Sequence, residues 1–542
     1  TSGESDTEIE GVEVAPLDAP DPAALGVLDS AGRGLDPALW RGTPRHVVRD
    51  LLPRLPGGLA SAALRDLAER LLLSGATPPR RRQADGETGR GLLDLRVAAL
   101  AEIGAYDGIA ELLGVVPRGA LTPALARAWV EALFLQGQVE AACTRVDHRG
   151  GATAAFWQKA RAVCQVARGA RGQADLTVSL LRETGAARHA GFLRAYDALV
   201  LGRLDDLDPG ALAPLARGLL LAGEAPLPAV FAVPARNTGL LAAVAGHSPT
   251  ALAVRIQAAE IATARGALPP EALRSLYRAA GDDSAKADPS ADLGAAAAPL
   301  RRALAFQAVG DAEGAVARVE LVREALTALP SAAEIGVRHA FVPFLKRQTP
   351  RPALARFAAL AGRNLYVTGH GEAAAAWLTM ARAESLVSPE ASAALTLLWP
   401  YAQLSGTVAV PVNGGLAAWR RVRLDDGGDI ALGESLLKAA FEALGAQETR
   451  PWIELVAAGE GADTHGGDRP VPPAATLYAL KEAGAAGRLG ETVLLTVLAL
   501  GRPGLDAMHP VTLHTALNAL VAVGLEAPAR RVAIEAALHN GI

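Results

Sequence analysis

The sequence predicts an all-α chain, an irregular α-solenoid: a superhelix of antiparallel helical hairpins behind an extended N-terminal arm. Three observations carry this reading. Apolar residues recur at three- and four-residue spacing, as in Leu64, Leu67 and Leu71 or in Leu93, Val97, Leu100 and Ile103, which lays a stripe along one helix face. Gly or Pro closes such stripes after roughly 10–16 residues, where helices stop rather than continue. No sheet-building series of alternating apolar and polar residues is present.

A chain of 542 residues exceeds what one ordinary core holds, so it needs several domains or a core that extends in one dimension. Alanine supplies 118 residues and lysine only 5, so the positive charge is almost all arginine, as in proteins of GC-rich bacterial genomes. Lys+Arg number 53 against Asp+Glu 57, which gives no basic field for nucleic acid, and the Arg clusters lack interleaved aromatic residues that would stack bases. The longest apolar runs are cut by charge, Gly or Pro well short of about 18 residues, so no membrane span is predicted.

Residues 1–35 form the arm. Its first 32 residues hold eight carboxylates and no base, leaving the remainder formally positive by about four charges. Two readings stay open: a flexible leader, or a strap that lays Ile9, Val12, Val14 and Leu17 along a partner or along the protein's own surface. The first residue is Thr1 rather than Met, and a signal peptide removed on export is the expectation. Helical arrays follow over 36–280, 294–402 and 416–542. They are separated by the turn-rich segments Gly281–Leu293 and Leu404–Gly415, the latter with strand-favouring Thr407, Val408, Val410 and Val412. Further interruptions are expected in the Arg-rich loop Thr77–Gly91 and in Gly459–Pro473.

The repeats define the arrays. Gly104, Gly137 and Gly172 mark junctions at steps of 33 and 35 residues; Gly223, Gly266 and Gly310 follow at 43 and 44, and Gly490 and Gly524 at 34. A hairpin of about 34 residues, or a little over 40, is the unit of known helical repeats, and it buries both apolar faces only by stacking on a neighbour. The order large, Gly, small in Leu133-Phe134-Leu135, Gly137, Ala141-Ala142, and again in Ala305-Phe306, Gly310, Ala315, resembles tetratricopeptide-like repeats, although no unit holds their complete consensus. The seven tryptophans are spread along the chain, and their expected role is packing between layers.

Candidate chemistry is sparse. Cys143 and Cys164 are 21 positions apart on consecutive predicted helices, where either a disulfide or two buried thiols would fit. A disulfide here favours an oxidising compartment. The ten histidines form no HExxH, and His509 and His514 flank a proline, so no metal site is predicted. Asp205-Asp206-Leu207-Asp208 and Asp425-Asp426-Gly427-Gly428-Asp429 lack the alternating ligands of a calcium loop. No phosphate-binding loop, nucleophile elbow or dinucleotide-binding glycine loop occurs, and no cofactor or small-molecule substrate is predicted. The texture is similar to the superhelix of exported lytic transglycosylases, whose catalytic domain needs a Glu-Ser pair. Glu384-Ser385 and Glu434-Ser435 offer that dipeptide without the motifs that should follow it.

Leu39-Trp40-Arg41-Gly42-Thr43 with Leu52-Pro53, and Phe156-Trp157-Gln158-Lys159-Ala160 with Cys164-Gln165, resemble a group of uncharacterised exported proteobacterial helical-repeat proteins. The resemblance implies a signal peptide and a periplasmic home and brings no catalytic residues. The expected function is a non-enzymatic periplasmic scaffold or adaptor that binds other proteins, as a homo-oligomer or within an envelope machine such as a flagellar motor or secretion apparatus. A cell-wall accessory or degenerate transglycosylase-like superhelix would instead show exposed aromatics and paired carboxylates in a groove. A cytosolic regulatory repeat protein would keep both thiols reduced.

Overall fold

The structure is a computed structural model and describes residues 21–80, 90–149, 154–233, 237–284, 297–407, 415–423, 430–446, 451–457 and 469–542. The arm residues Ile9, Val12, Val14 and Leu17 lie outside these, as do Val408, Val410, Val412 and the Asp425–Asp429 cluster. The first helices in chain order are α1 Arg45–Leu51, α2 Ala62–Leu73, α3 Leu92–Glu102, α4 Tyr106–Gly114, α5 Pro123–Leu135, α6 Val139–Asp147, α7 Ala155–Ala167, α8 Arg171–Glu183 and α9 Ala186–Leu201. The path continues through α10 Pro214–Ala222, α11 Thr238–Gly246, α12 Leu252–Ala264, α13 Pro270–Ser284, α14 Ala297–Asp311, α15 Ala315–Ala325, α16 Glu334–Lys346, α17 Ala358–Val367, α18 Gly371–Glu384 and α19 Pro389–Ser405. It ends with α20 Gly415–Arg423, α21 Ile430–Ala443, α22 Trp452–Ala457, α23 Ala474–Ala485, α24 Leu489–Gly501, α25 Pro510–Ala522 and α26 Glu526–His539. Among the described residues no strand forms, and one isolated bridge pairs Leu28 with Ser74. The fold is all-α and solenoid-like: helices pack mainly against their neighbours in sequence. No helix of the described residues is long and apolar enough to cross a membrane.

One turn builds the hairpins. In α3–α4, α5–α6, α7–α8, α17–α18, α23–α24 and α25–α26 a glycine with φ between 66° and 80° ends the first helix (Gly104, Gly137, Gly169, Gly369, Gly487 and Gly524). The N–H of the next residue then donates to the carbonyl five positions back, as from Gln138 to Leu133 at 2.8 Å and from Ala170 to Gln165 at 2.8 Å. This is the Schellman closure, which satisfies carbonyls left free at a helix end and needs a residue in the left-handed region. The second helix starts at once, so a three-residue connection folds each pair back on itself.

Three of the expected markers are displaced. Gly172, Gly310 and Gly490 lie inside α8, α14 and α24, whereas Gly169, Gly314 and Gly487 hold the positive φ. Each of these junctions contains two glycines a few residues apart; Gly169 and Gly487 follow a helix end in the left-handed region, whereas Gly314 caps the start of α15 at φ 83° and ψ 153°. The corrected spacing Gly104, Gly137, Gly169, Gly202 is more even, at 33, 32 and 33 residues. At the Gly223 junction it is Glu224, φ 53°, that takes the left-handed conformation. Gly490 serves a different purpose: its N–H donates to the Leu39 carbonyl at 2.9 Å, and a Cβ there would sit 2.8 Å from that oxygen.

Residues 21–35, assigned to the arm from sequence, pack against the body. Buried Arg96 on α3 donates to the carbonyls of Ala23 (3.0 Å), Leu25 (2.7 Å), Leu72 (2.8 Å) and Ser74 (3.2 Å), tying the N-terminal segment to the end of α2. Burial pushes this guanidinium down to about 10, and the four carbonyls replace its lost hydration. The three expected arrays share one contiguous apolar core running from Ala23 to Ile542. Trp377, Trp399 and Trp419 are fully buried in it, while Trp452 is half-exposed.

The array also closes on itself. Helix α2 packs against α24 and α26, α19 packs against α26, and α12 packs against α16. The closure is polar as well as apolar. Glu535 of α26 is buried at the N-terminus of α2, where it accepts from the Ala63 N–H at 3.0 Å and from the Ser61 hydroxyl, while the Ser61 oxygen accepts from the Leu64 N–H at 3.1 Å. A carboxylate there satisfies free N–H groups and lies at the positive end of the helix dipole.

Gly137→Val should lower stability by about 1–2 kcal/mol from backbone strain alone, because nothing lies within 4 Å of its Cβ position; an unchanged urea midpoint would remove the turn from the argument. Glu535→Ala should cost about 2 kcal/mol or more by leaving two buried donors unpaired, and hydrogen exchange should show α2 losing protection before the hairpin α7–α8 does.

Candidate functional site

Closure leaves a solvent-open basin of about 970 Å³ on the inner side of the helices. Helix α2 forms one wall, α4 and the α5–α6 turn the next, and Glu224, α11 and the α12–α13 turn the rest; His339 of α16 and Arg531 of α26 complete the lining. Much of the wall is glycine and alanine, because the hairpin turns and close helix crossings that need small residues face it.

Its polar groups fall into two sets. Arg65 is buried and donates to the Ile103 carbonyl, and its Nε lies 2.8 Å from Glu69 Oε1. Burial lowers the Arg65 guanidinium and raises the Glu69 carboxyl, each partly offset by the other's charge. Asp66 holds Arg33 at 2.5 Å and Arg531 at 3.3 Å, so the three lining arginines are all ion-paired. By contrast Asp107 and Glu111 of α4, Glu140 of α6 and Glu224 are exposed and make no ion pair among the described residues.

The remaining polar side chains are structural. Tyr106 accepts from Asn237 Nδ2 at 2.7 Å, and burial raises its hydroxyl. His247 lies between the Thr250 hydroxyl (2.8 Å) and the Leu221 carbonyl (3.2 Å), and burial holds it below its usual value. His339 is pushed down to about 4 by burial, assisted by the charges of His370, Arg274 and Arg531.

The structure joins Cys143 of α6 to Cys164 of α7 in a disulfide, with Cα atoms 5.6 Å apart and both residues 1% exposed; neither lines the basin. His509 caps α25, accepting from the Val511 N–H at 3.2 Å. Glu434 is buried with Arg420 at 3.5 Å, and Ser435 donates to the Ala431 carbonyl of its own helix, while Ser385 donates to the Arg382 carbonyl at the end of α18. Among the described residues no three His, Cys, Asp or Glu side chains converge as metal ligands. Sequence reasoning missed the basin acids. The available signal was Asp107 and Glu111 at i,i+4 on one face of a short helix, and Glu224 in a turn where glycine is the usual residue.

The fold and basin together define a closed, all-α repeat protein of solenoid-like build. Compared with known proteins, the chain matches no protein-family model, no curated protein and no solved structure.

A histidine whose folded value lies below its unfolded one is protonated more readily in the unfolded chain, so its contribution to stability is present above pH 6.5 and is lost as pH falls toward 4. His339→Gln should therefore lose less stability than the wild type between pH 6.5 and 4, by a difference of order 2 kcal/mol in urea titrations.

Proposed function

We propose that the chain is a non-enzymatic scaffold or adaptor of the periplasm that binds another protein on the inner face of its closed helical array. One observation carries the reading: the wide basin is preformed by helices pinned to each other across the whole chain, so binding there would order little that is not already ordered. Apolar residues at helix edges add further contact surface, among them Leu386 at 97% and Val387 at 78% exposure between α18 and α19, and Leu176 with Leu180 on α8.

The disulfide between Cys143 and Cys164 supports an exported location, because such bonds persist in oxidising compartments. The aromatic residue among the basin's lining, Tyr106, is buried, which favours a protein ligand over a glycan strand stacked on exposed rings. A setting within an envelope machine such as a flagellar motor or secretion apparatus belongs to the same proposal.

The test is crosslinking of the tagged chain in intact cells, followed by mass spectrometry and thiol labelling of the recovered protein. Recovery of one envelope assembly with both cysteines unlabelled is expected; free thiols with cytosolic partners, or cell-wall fragments alone, would overturn the proposal. In vitro, reduction or Cys143→Ser with Cys164→Ser should lower stability by roughly 3 kcal/mol, the chain-entropy value for a loop of this size.

A further inference from the structure

The charges around the basin are unevenly satisfied. Among the described residues its lining holds five carboxylates against three guanidinium groups, and all three guanidinium groups are engaged by Asp66 or Glu69. The four carboxylates left over come from three elements: Asp107 and Glu111 from α4, Glu140 from the start of α6, and Glu224 from the turn between α10 and α11. His247 and His339, the histidines of the lining, are both held toward the neutral form near pH 7. A concave wall carrying an excess of charge of one sign focuses its field into the cavity, even though Asp107 also acts on Arg65 and Glu140 on Arg168.

A second observation is independent of the acids. Thr263 of α12 lines the same basin, is 4% exposed, and its hydroxyl has no hydrogen-bond partner among the described residues. Buried hydroxyls without a partner are uncommon, and of the five such threonines among the described residues Thr263 is the one that lines the basin. Glu224 points the same way: it holds φ 53°, a conformation that glycine would adopt without strain.

We propose that the basin binds a basic peptide segment of a partner protein, whose Lys or Arg side chains pair with Asp107, Glu111, Glu140 and Glu224. This rests on the scaffold reading above and names the chemistry of the partner. The volume, about 970 Å³, is at the upper end of ligand pockets and admits a stretch of several residues rather than a single ion. The glycine and alanine walls leave room for a backbone to approach. Nucleic acid and other polyanions have the wrong sign.

The experiment measures fluorescence anisotropy of labelled hexa-arginine and hexa-glutamate against the full chain. Hexa-arginine should bind with an affinity that falls as salt rises, and hexa-glutamate should not bind. Asp107→Asn, Glu111→Gln and Glu140→Gln combined should weaken hexa-arginine by about tenfold, as expected for three solvated charge pairs. The same charge change at exposed sites elsewhere, Glu313→Gln, Glu324→Gln and Glu372→Gln combined, should leave it within about twofold.

Glu224→Gly provides a readout that unfolding cannot imitate: it should raise the melting temperature while weakening binding. Equal weakening by the basin set and the control set, or no preference for hexa-arginine in the wild type, would overturn the proposal. The scaffold reading is separated by crosslinking in cells. A partner retained by the basin variant counts against the basin and leaves the scaffold reading intact. No partner from either chain, with the anisotropy result as expected, counts against the scaffold reading alone.

Discussion

The structure depends on the closure of the helical array at α2. An open solenoid has two ends, each with an apolar layer that only a capping repeat can cover. Here the C-terminal hairpins supply the cover for the N-terminal helices. Helix α2 is buried on most of its surface and is touched by α3 and α4 on one side and by α24 and α26 on the other. Glu535 makes that junction specific, because a buried carboxylate has few places where its charge is tolerated, and the free N–H groups at Ser61–Leu64 provide one. The Gly490 to Leu39 hydrogen bond and the Arg531 to Asp66 ion pair fix the register of the same contact.

Elsewhere the same logic recurs where layers meet. Glu260 on α12 is buried and accepts from Tyr277 Oη at 2.7 Å and Arg302 Nε at 2.8 Å, so α12, α13 and α14 share one charged junction. Around it Tyr277, Phe306, Phe341 and Phe344 pack ring to ring at 5.0–6.3 Å. Removing one member of such a network strands another buried polar group, so these junctions specify which helices meet more than they add stability. Leucine and alanine dominate the core, and neither carries a directional bond that would specify which helices meet. Glu260, Arg96 and Glu535 supply some of that specificity through directional bonds.

The helices were legible in the sequence because each is a local object. A stripe at three and four, a glycine at its end and a following amphipathic stretch lie within about 35 residues of one another. The turn glycines were harder wherever two glycines lie close together: Gly169 and Gly172, and Gly487 and Gly490, are equivalent in composition, and the helix end determines which one turns. The closure was not legible. Ser61 and Glu535 are 474 positions apart, and neither belongs to a pattern that names the other. The basin was hidden for the same reason, since its lining is drawn from α2, α4, α6, α11, α12 and α26, and no short window holds more than two of its acids.

The basin's charge follows from the closure. Bringing α26 to α2 places Arg531 beside Asp66, which already holds Arg33, while the neighbouring Arg65 pairs with Glu69 within α2. The basic wall is thereby neutralised by its own structural duty. The opposite wall is held differently: α4 packs through Tyr106, Gly108, Ile109, Leu112 and Leu113, and its carboxylates Asp107 and Glu111 stay in solvent. The acidic excess is what remains once all three lining arginines are engaged, one of them, Arg531, across the closure. Opening the array at Glu535 would break the Arg531–Asp66 pair that crosses the same junction, so the closure and the basin's charge are linked through α2 and α26.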